Sequence, residues 1–334
     1  MSKISATITA LGAYVPEHIL SNAMLENMVD TNDEWITART GIKERRILKE
    51  NGKGTSYLAI NAAKDLIKKA ELDPSTIDLV IVATATPDMK AASTASFTAT
   101  AIGACNAFSF DMDSACSGFL FGMSTAASYI ESGRYKKILL IGADKMSSIV
   151  NYKDRTTCII FGDGAGAALF EPNFDGLGVQ DQYLRTDGSG RDFLQATYGG
   201  SSNPITHEVL DSGGHYAFQE GKIVFKNAVF NMADATNKIL ERNKLCKTDI
   251  DWLAAHQANK RIINATAERM DLESEKVMMN IEKYGNTTSA TLPLLLNDYE
   301  NQLKKGDKVI FAAFGGGFSW GSIYLKWSYT KKNN

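Results

Sequence analysis

No apolar run in this 334-residue chain reaches the about 18 residues that a membrane-spanning helix needs. No charged segment followed by a short apolar core opens it either; Met1-Ser2-Lys3-Ile4-Ser5 leads directly into alternating, strand-like sequence. A cytoplasmic location and no membrane partner are the expectation. Neither sign of charge is in excess: 36 Lys and Arg against 38 Asp and Glu give a net charge of −2, which removes the case for a nucleic-acid-binding surface. Cysteine is scarce. Cys105, Cys116, Cys158 and Cys246 form no CxxC pair and no zinc spacing, so neither a disulfide framework nor a metal site is expected. There is no low-complexity linker. What remains is ordinary globular composition, 44% hydrophobic and 22% charged, in a chain long enough for two packed units.

The chain contains a duplication. Glu71-Leu72-Asp73-Pro74-Ser75-Thr76-Ile77-Asp78-Leu79-Val80 resembles Lys244-Leu245-Cys246-Lys247-Thr248-Asp249-Ile250-Asp251-Trp252-Leu253. Each copy follows a helix-like segment (Ala62 to Ala70, Ala235 to Asn243) and enters a short apolar strand. Later in each half comes a second strand, around Ile138-Leu139-Leu140-Ile141 and Val309-Ile310-Phe311-Ala312. A glycine-rich turn then follows, Phe161 to Ala167 and Phe314 to Trp320. A repeat of half a chain is too long for a solenoid and implies two similar α/β lobes facing each other. Apolar strands alternating with helical segments predict mostly parallel sheets covered by helices. The halves divide near Glu171-Pro172-Asn173, giving residues 1–172, which carry Cys116, and residues 173–334, which carry His256 and Asn286.

Cys116, in Asp113-Ser114-Ala115-Cys116-Ser117-Gly118-Phe119, lies between an apolar run (Ala107 to Phe110) and helix-like sequence (Phe119 to Ile130). A helix N-terminus there favours thiolate over thiol. Alone, such a cysteine reads as inert core; three other motifs change that. His256 follows the strand Trp252 to Ala255, at the carboxyl end where open α/β sheets bind ligands. Tyr284-Gly285-Asn286-Thr287-Thr288-Ser289 occupies, by offset, the place of the Cys116 segment, which points Asn286 across a pseudo-twofold axis toward Cys116. Phe314-Gly315-Gly316-Gly317-Phe318 lets a ligand approach free backbone N–H groups. A thiol, an imidazole, a carboxamide and such a loop suit acyl-thioester chemistry. By contrast His18, His207 and His215 read as ordinary polar residues. Gly162 to Gly166 lacks the dinucleotide-binding spacing and reads as a tight turn, and Lys326, Lys331 and Lys332 read as a solvated tail.

These four motifs, in this order and over nearly the whole chain, resemble the β-ketoacyl-ACP synthase III family of the thiolase superfamily. The resemblance implies a five-layer αβαβα fold, a homodimer and a Cys116-His256-Asn286 triad. It implies oxyanion donors at the backbone N–H groups of Cys116 and Gly316. Acyl-CoA and malonyl-ACP (acyl carrier protein) are then substrates, and no cofactor or metal is needed. Trp35 would stack on the CoA adenine with Arg155 on its other face, Arg39 would meet CoA phosphates, and Asn259 the pantetheine arm. Lys226, Lys260 and Arg261 would form a basic rim for the carrier, and Ala91 and Phe314 would border the acyl pocket. The chain departs from the family at Lys222, where Asn is common, at Lys260, where an apolar residue is common, and at Ala91-Ala92, where Phe-Pro is common. In the family that Phe helps close the acyl pocket across the dimer interface, so Ala91 in its place predicts room for primers longer than acetyl. The implied activity is the condensation that initiates type II fatty-acid synthesis. A related condensing or acyl-transfer enzyme of specialised metabolism, using another acceptor, is the second reading, and a non-catalytic acyl-binding partner subunit the third.

Overall fold

The computed structural model describes residues 4–331; the readings made for residues 1–3 and for Lys332 lie outside them. The first sheet comprises β1 (Ser5–Tyr14), β2 (Leu79–Ala83), β3 (Phe108–Met112), β4 (Ile138–Lys145) and β5 (Asp163–Asn173), in spatial order β1-β5-β4-β2-β3. The second comprises β6 (Gly178–Thr186), β7 (Trp252–Ala255), β8 (Lys308–Gly315) and β9 (Ser319–Lys326), in order β7-β8-β9-β6. The helices that matter for the site are α1 (Asp33–Thr40), α2 (Thr55–Lys69), α3 (Thr94–Ile102), α4 (Gly118–Glu131), α5 (Gly221–Arg242), α6 (Lys260–Arg269) and α7 (Thr291–Tyr299).

The two-residue period of a strand sorts its side chains between layers. In β2, Leu79 and Ile81 point inward to a core shared with Phe119 and Met123 of α4, Leu292 and Leu295 of α7, and Phe311 of the second sheet. Val80 and Val82 point outward against α2 and α3. The second sheet is covered outside by α5 and α6, through Met232, Ile239, Ile262 and Ile263. The result is a five-layer αβαβα stack in which α4 and α7 form the middle layer, buried between two sheets.

The expectation of mostly parallel sheets needs correction. β2 pairs in parallel with β3 and β4, and β7 with β8, but β4–β5, β5–β1, β8–β9 and β9–β6 are antiparallel. The reason is connection length: Gly316 to Phe318 is too short to cross back over a sheet, so β9 returns beside β8 as a hairpin. Nor is the Gly162 to Gly166 run a tight turn. From Asp163 onward it is strand β5 itself, and its glycines admit close neighbours: a Cβ on Gly166 would lie 2.7 Å from Pro293 Cβ, and one on Gly162 2.4 Å from the Tyr284 carbonyl. The predicted solvated tail is also more tied down than expected, since Lys326 ends β9 and Lys331 Nζ lies 2.6 Å from Glu300 Oε2.

The duplication has a constant step. Glu71 and Lys244, and Ala115 and Thr288, are paired non-glycine residues with positive φ, each pair 173 positions apart. At the same step Cys116 corresponds to Ser289, and Gly142 at the end of β4 corresponds to Gly315 at the end of β8. Each of these glycines packs on the other half's turn. A Cβ on Gly315 would sit 2.8 Å from Cys116 N, and one on Gly142 2.2 Å from Ser289 O. The two halves therefore interlock at the turns that carry the chemistry.

Candidate active site

Cys116 lies on a short 3-10 turn (Ala115–Ser117) that runs into α4, after Ala115 at φ 46°. Asp113 Oδ1 accepts the Ala115 N–H at 2.9 Å, which helps hold that left-handed residue. The turn is fastened to the second half by Ser117 Oγ donating to Ser319 O at 2.9 Å and Ser319 Oγ donating to Ser114 O at 3.0 Å. A cavity of about 1300 Å³ opens beside it, lined among others by Cys116, His256, Asn286, Gly316 and Phe314. The structure thus brings the three predicted triad residues and the glycine loop to one wall.

The helix end's preference for thiolate is outweighed by burial. Burial, then the charge of nearby Asp144, pushes the Cys116 thiol up to about 12; Asn286 and the Cys116 backbone pull the other way without prevailing. The helix end is offset by the loss of water around the sulfur.

His256 continues from β7 with its N–H bonded to Ala312 O at 2.8 Å. The residue is 1% exposed, and among the described residues neither ring nitrogen has a hydrogen-bond partner. Burial lowers its pKa to about 3, so the imidazole is neutral at physiological pH, with one donor and one acceptor nitrogen. Both nitrogens belong to a residue that lines the cavity, where a substrate's polar atoms can reach them. Asn286 is held more fully. Its backbone bonds to Ile160 O and Gly162 N, and its Oδ1 accepts the Thr288 N–H at 2.9 Å. With the carbonyl of the amide pinned, the NH₂ end is the one left to face Cys116 and the cavity.

Trp35 and Arg39 sit on α1, whose N-cap Asn32 accepts the Trp35 N–H at 2.8 Å. Gly41 ends α1 at φ 80° against the Lys260 side chain, setting α1 beside the start of α6. Arg39 Cζ lies 4.8 Å and Arg155 Cζ 5.4 Å from the Trp35 ring centroid, and Arg155 Nη1 donates to Asp30 O at 2.9 Å. Two successive van der Waals contacts need about 7 Å. A base can therefore enter between Trp35 and Arg155 only once Arg155 moves away. Asn259 lines the cavity, but its Oδ1 caps α6 through Arg261 N at 2.8 Å, so its NH₂ is what can meet a ligand.

Arg261 and Lys222 line the mouth, with Arg261 Cζ 5.0 Å from the Phe225 ring; Lys226 and Lys260 are exposed outside the cavity lining. Phe314 lines the cavity and packs on Phe318, ring centroids 4.8 Å apart. Ala91 does not line it. The chain leaves the cavity after Ala85, because Thr86 turns away to bond Asp144, and Ala91 lies in an exposed loop tied to the edge strand β3 by Asp111, which accepts from Ser93 Oγ, Thr94 N and Ala95 N.

Sequence reasoning missed Gln257, Asp144 and Ser289. Buried Gln257 donates to Ala255 O and accepts from Asn280 N and Ile281 N, fixing the segment that leads to Asn286. Its place directly after His256 was the available signal. The other two had none within their own segments.

Comparison with known proteins agrees with this geometry. The family description 3-oxoacyl-[acyl-carrier-protein (ACP)] synthase III matches residues 110–188, and 3-oxoacyl-[acyl-carrier-protein (ACP)] synthase III C terminal matches residues 240–327. A relative named beta-ketoacyl-[acyl-carrier-protein] synthase III 2, from Bacteroides thetaiotaomicron, is 56% identical over 332 residues, covering 99% of each chain. One named beta-ketoacyl-[acyl-carrier-protein] synthase III, from Phocaeicola vulgatus, is 56% identical over 329 residues, 98% of each. The crystal structure of 3-oxoacyl-[acyl-carrier-protein] synthase III from Aquifex aeolicus superposes with a TM-score of 0.89 at 39% identity, over 96% of this chain and 100% of that one.

Proposed function

The chain belongs to the β-ketoacyl-ACP synthase III family, and from that premise we propose that it joins an acyl-CoA primer to malonyl-ACP with loss of carbon dioxide, the first condensation of type II fatty-acid synthesis. The observation that carries the reading is the wall of the cavity: a buried thiol, a neutral imidazole with both nitrogens open, and a carboxamide held by its carbonyl end.

The Cys116 sulfur attacks the primer's thioester carbonyl while its proton passes to the departing CoA sulfur. The backbone N–H groups of Cys116 and Gly316 stabilise the oxyanion, the carbon–sulfur bond to CoA breaks, and CoA leaves carrying the proton. Malonyl-ACP then enters. As its carboxylate departs as carbon dioxide, the electron pair passes into the thioester as an enolate. The free N–H donors of His256 and Asn286 are suited to hold that oxygen. The enolate carbon attacks acyl-Cys116, the cysteine sulfur leaves and is reprotonated, and β-ketoacyl-ACP remains.

Trp35, Arg39 and Asn259 fit the CoA arm, and Arg261 with Lys222, Lys226 and Lys260 fits an acidic carrier at the mouth. We place a second copy of the chain across strand β3. That edge is unpaired, with Phe97 and Phe108 exposed beside it, and the Ala91 loop is fastened to it. Among the described residues no helix is long and apolar enough to cross a membrane, and four free cysteines fit a reducing cytoplasm. The test is to assay the two half-reactions separately. His256→Ala and Asn286→Ala should each lower malonyl decarboxylation at least about a hundredfold while acyl-Cys116 forms within a few-fold of the parent rate. An equal loss in both half-reactions would contradict this division of roles.

A further inference from the structure

Asp144, at the end of β4, is fully buried and forms no ion pair among the described residues. Its Oδ1 faces the first half, accepting from Thr84 Oγ1 at 3.1 Å, Ala85 N at 2.8 Å, Thr86 N at 3.1 Å and Thr86 Oγ1 at 2.9 Å. Its Oδ2 faces the second half, accepting from Ser289 N at 3.0 Å and touching Ser289 Oγ. One carboxyl thus bridges Ala85, which lines the cavity, and the turn that begins at Asn286.

Ser289 is the counterpart of Cys116 in the duplication, on the turn after left-handed Thr288. Thr288 N–H is the donor that pins the Asn286 amide, and Ser289 N–H, the next one along, is held by Asp144. The two peptide units adjoin at Thr288, so the Asp144 bond holds the far side of the same turn whose near side fixes the Asn286 carbonyl oxygen. The hydroxyl geometry adds a proton count. Ser289 Oγ lies 2.7 Å from Ala83 O, an acceptor only, and also against Asp144 Oδ2. One hydroxyl proton cannot serve both. The hydroxyl donates to one of the two acceptors at a time, and so fastens the end of β2 and the Asp144 carboxylate to one side chain.

We propose that Asp144 is a positioning residue for the decarboxylation step, acting through Ser289 on the turn that aims Asn286. This rests on the condensing reading above. The duplication has kept a polar side chain at the second nucleophile position to serve as its anchor.

The experiment is a double-mutant cycle in the full-length enzyme, reading carbon dioxide release from malonyl-ACP and, separately, acyl-Cys116 formation from acyl-CoA. Asp144→Asn in the parent should lower carbon dioxide release about tenfold, the range of coupling found between residues in one network, while acylation is kept. In an Asn286→Ala background the same substitution should change carbon dioxide release by less than about twofold. Ser289→Ala should repeat both results and serves if Asp144→Asn does not fold. An equal factor with and without Asn286, or a parallel loss of acylation and decarboxylation, would overturn the proposal. Failure of the parent enzyme to form acyl-Cys116 would instead overturn the condensing reading.

Discussion

A buried neutral histidine makes the stability of this protein depend on pH in a way that can be calculated. The folded chain refuses a proton on His256 until about pH 3, whereas the unfolded chain takes one up near its ordinary 6.5. Acid therefore favours the unfolded state over that window, and the sign follows from the unfolded state binding more protons. The interval of roughly 3.5 pH units at about 1.4 kcal/mol each gives a limiting effect of ~5 kcal/mol, of which ~2 kcal/mol has developed at pH 5. Asp144 works oppositely. Its folded pKa is raised from 3.8 to about 6, so its contribution is present in acid and is lost as pH rises through 6. The two are separated by comparing the parent with His256→Asn, which keeps Asp144. In urea titrations at pH 7.5 and pH 5, the parent should lose about 2 kcal/mol more than the variant on acidification. Parallel losses, equal to within about 0.5 kcal/mol, would mean that His256 titrates alike in the folded and unfolded chain and would contradict its desolvation in the folded protein.

Two further outcomes are expected. Gly315→Ala places a methyl 2.8 Å from Cys116 N and 2.9 Å from Ser117 N, so the nucleophile's turn must shift by several tenths of an ångström. Misplacement on that scale should slow acyl-Cys116 formation about ten- to a hundredfold while circular dichroism stays native; an unaffected rate would mean that the turn is not held by β8. Ala91→Phe should lower the octanoyl-to-acetyl preference in Cys116 acylation about tenfold or more if a partner's cavity is closed by this loop, and an unchanged preference would remove Ala91 from primer selection.

Much of this was legible in the sequence because it is local or periodic. The continuous apolar run Leu79-Val80-Ile81-Val82 predicted a short strand, and the duplicated segments predicted two lobes. His256 and Asn286 stood out because each follows its own recognisable pattern. Other features depend on partners far along the chain. Asp144 reads as a charged strand end before Lys145, and only Ser289, 145 positions later, turns it into a buried hub. The environment of Cys116 was half legible for the same reason: the helix end is visible in sequence, but the desolvation that outweighs it comes from packing. Ala91 was assigned by likeness to an acyl pocket closed across a dimer interface, and a single chain, in which it lies outside the cavity, leaves that assignment to the partner's cavity. The antiparallel strands were missed because apolar runs record burial rather than direction.

The most direct test of the central claim is intact-protein and peptide mass spectrometry after incubation with acyl-CoAs of increasing length, followed by malonyl-ACP. The account predicts one acyl adduct, on Cys116, which malonyl-ACP then discharges with release of β-ketoacyl-ACP. An adduct at another residue, or one on Cys116 that malonyl-ACP leaves in place, would contradict it.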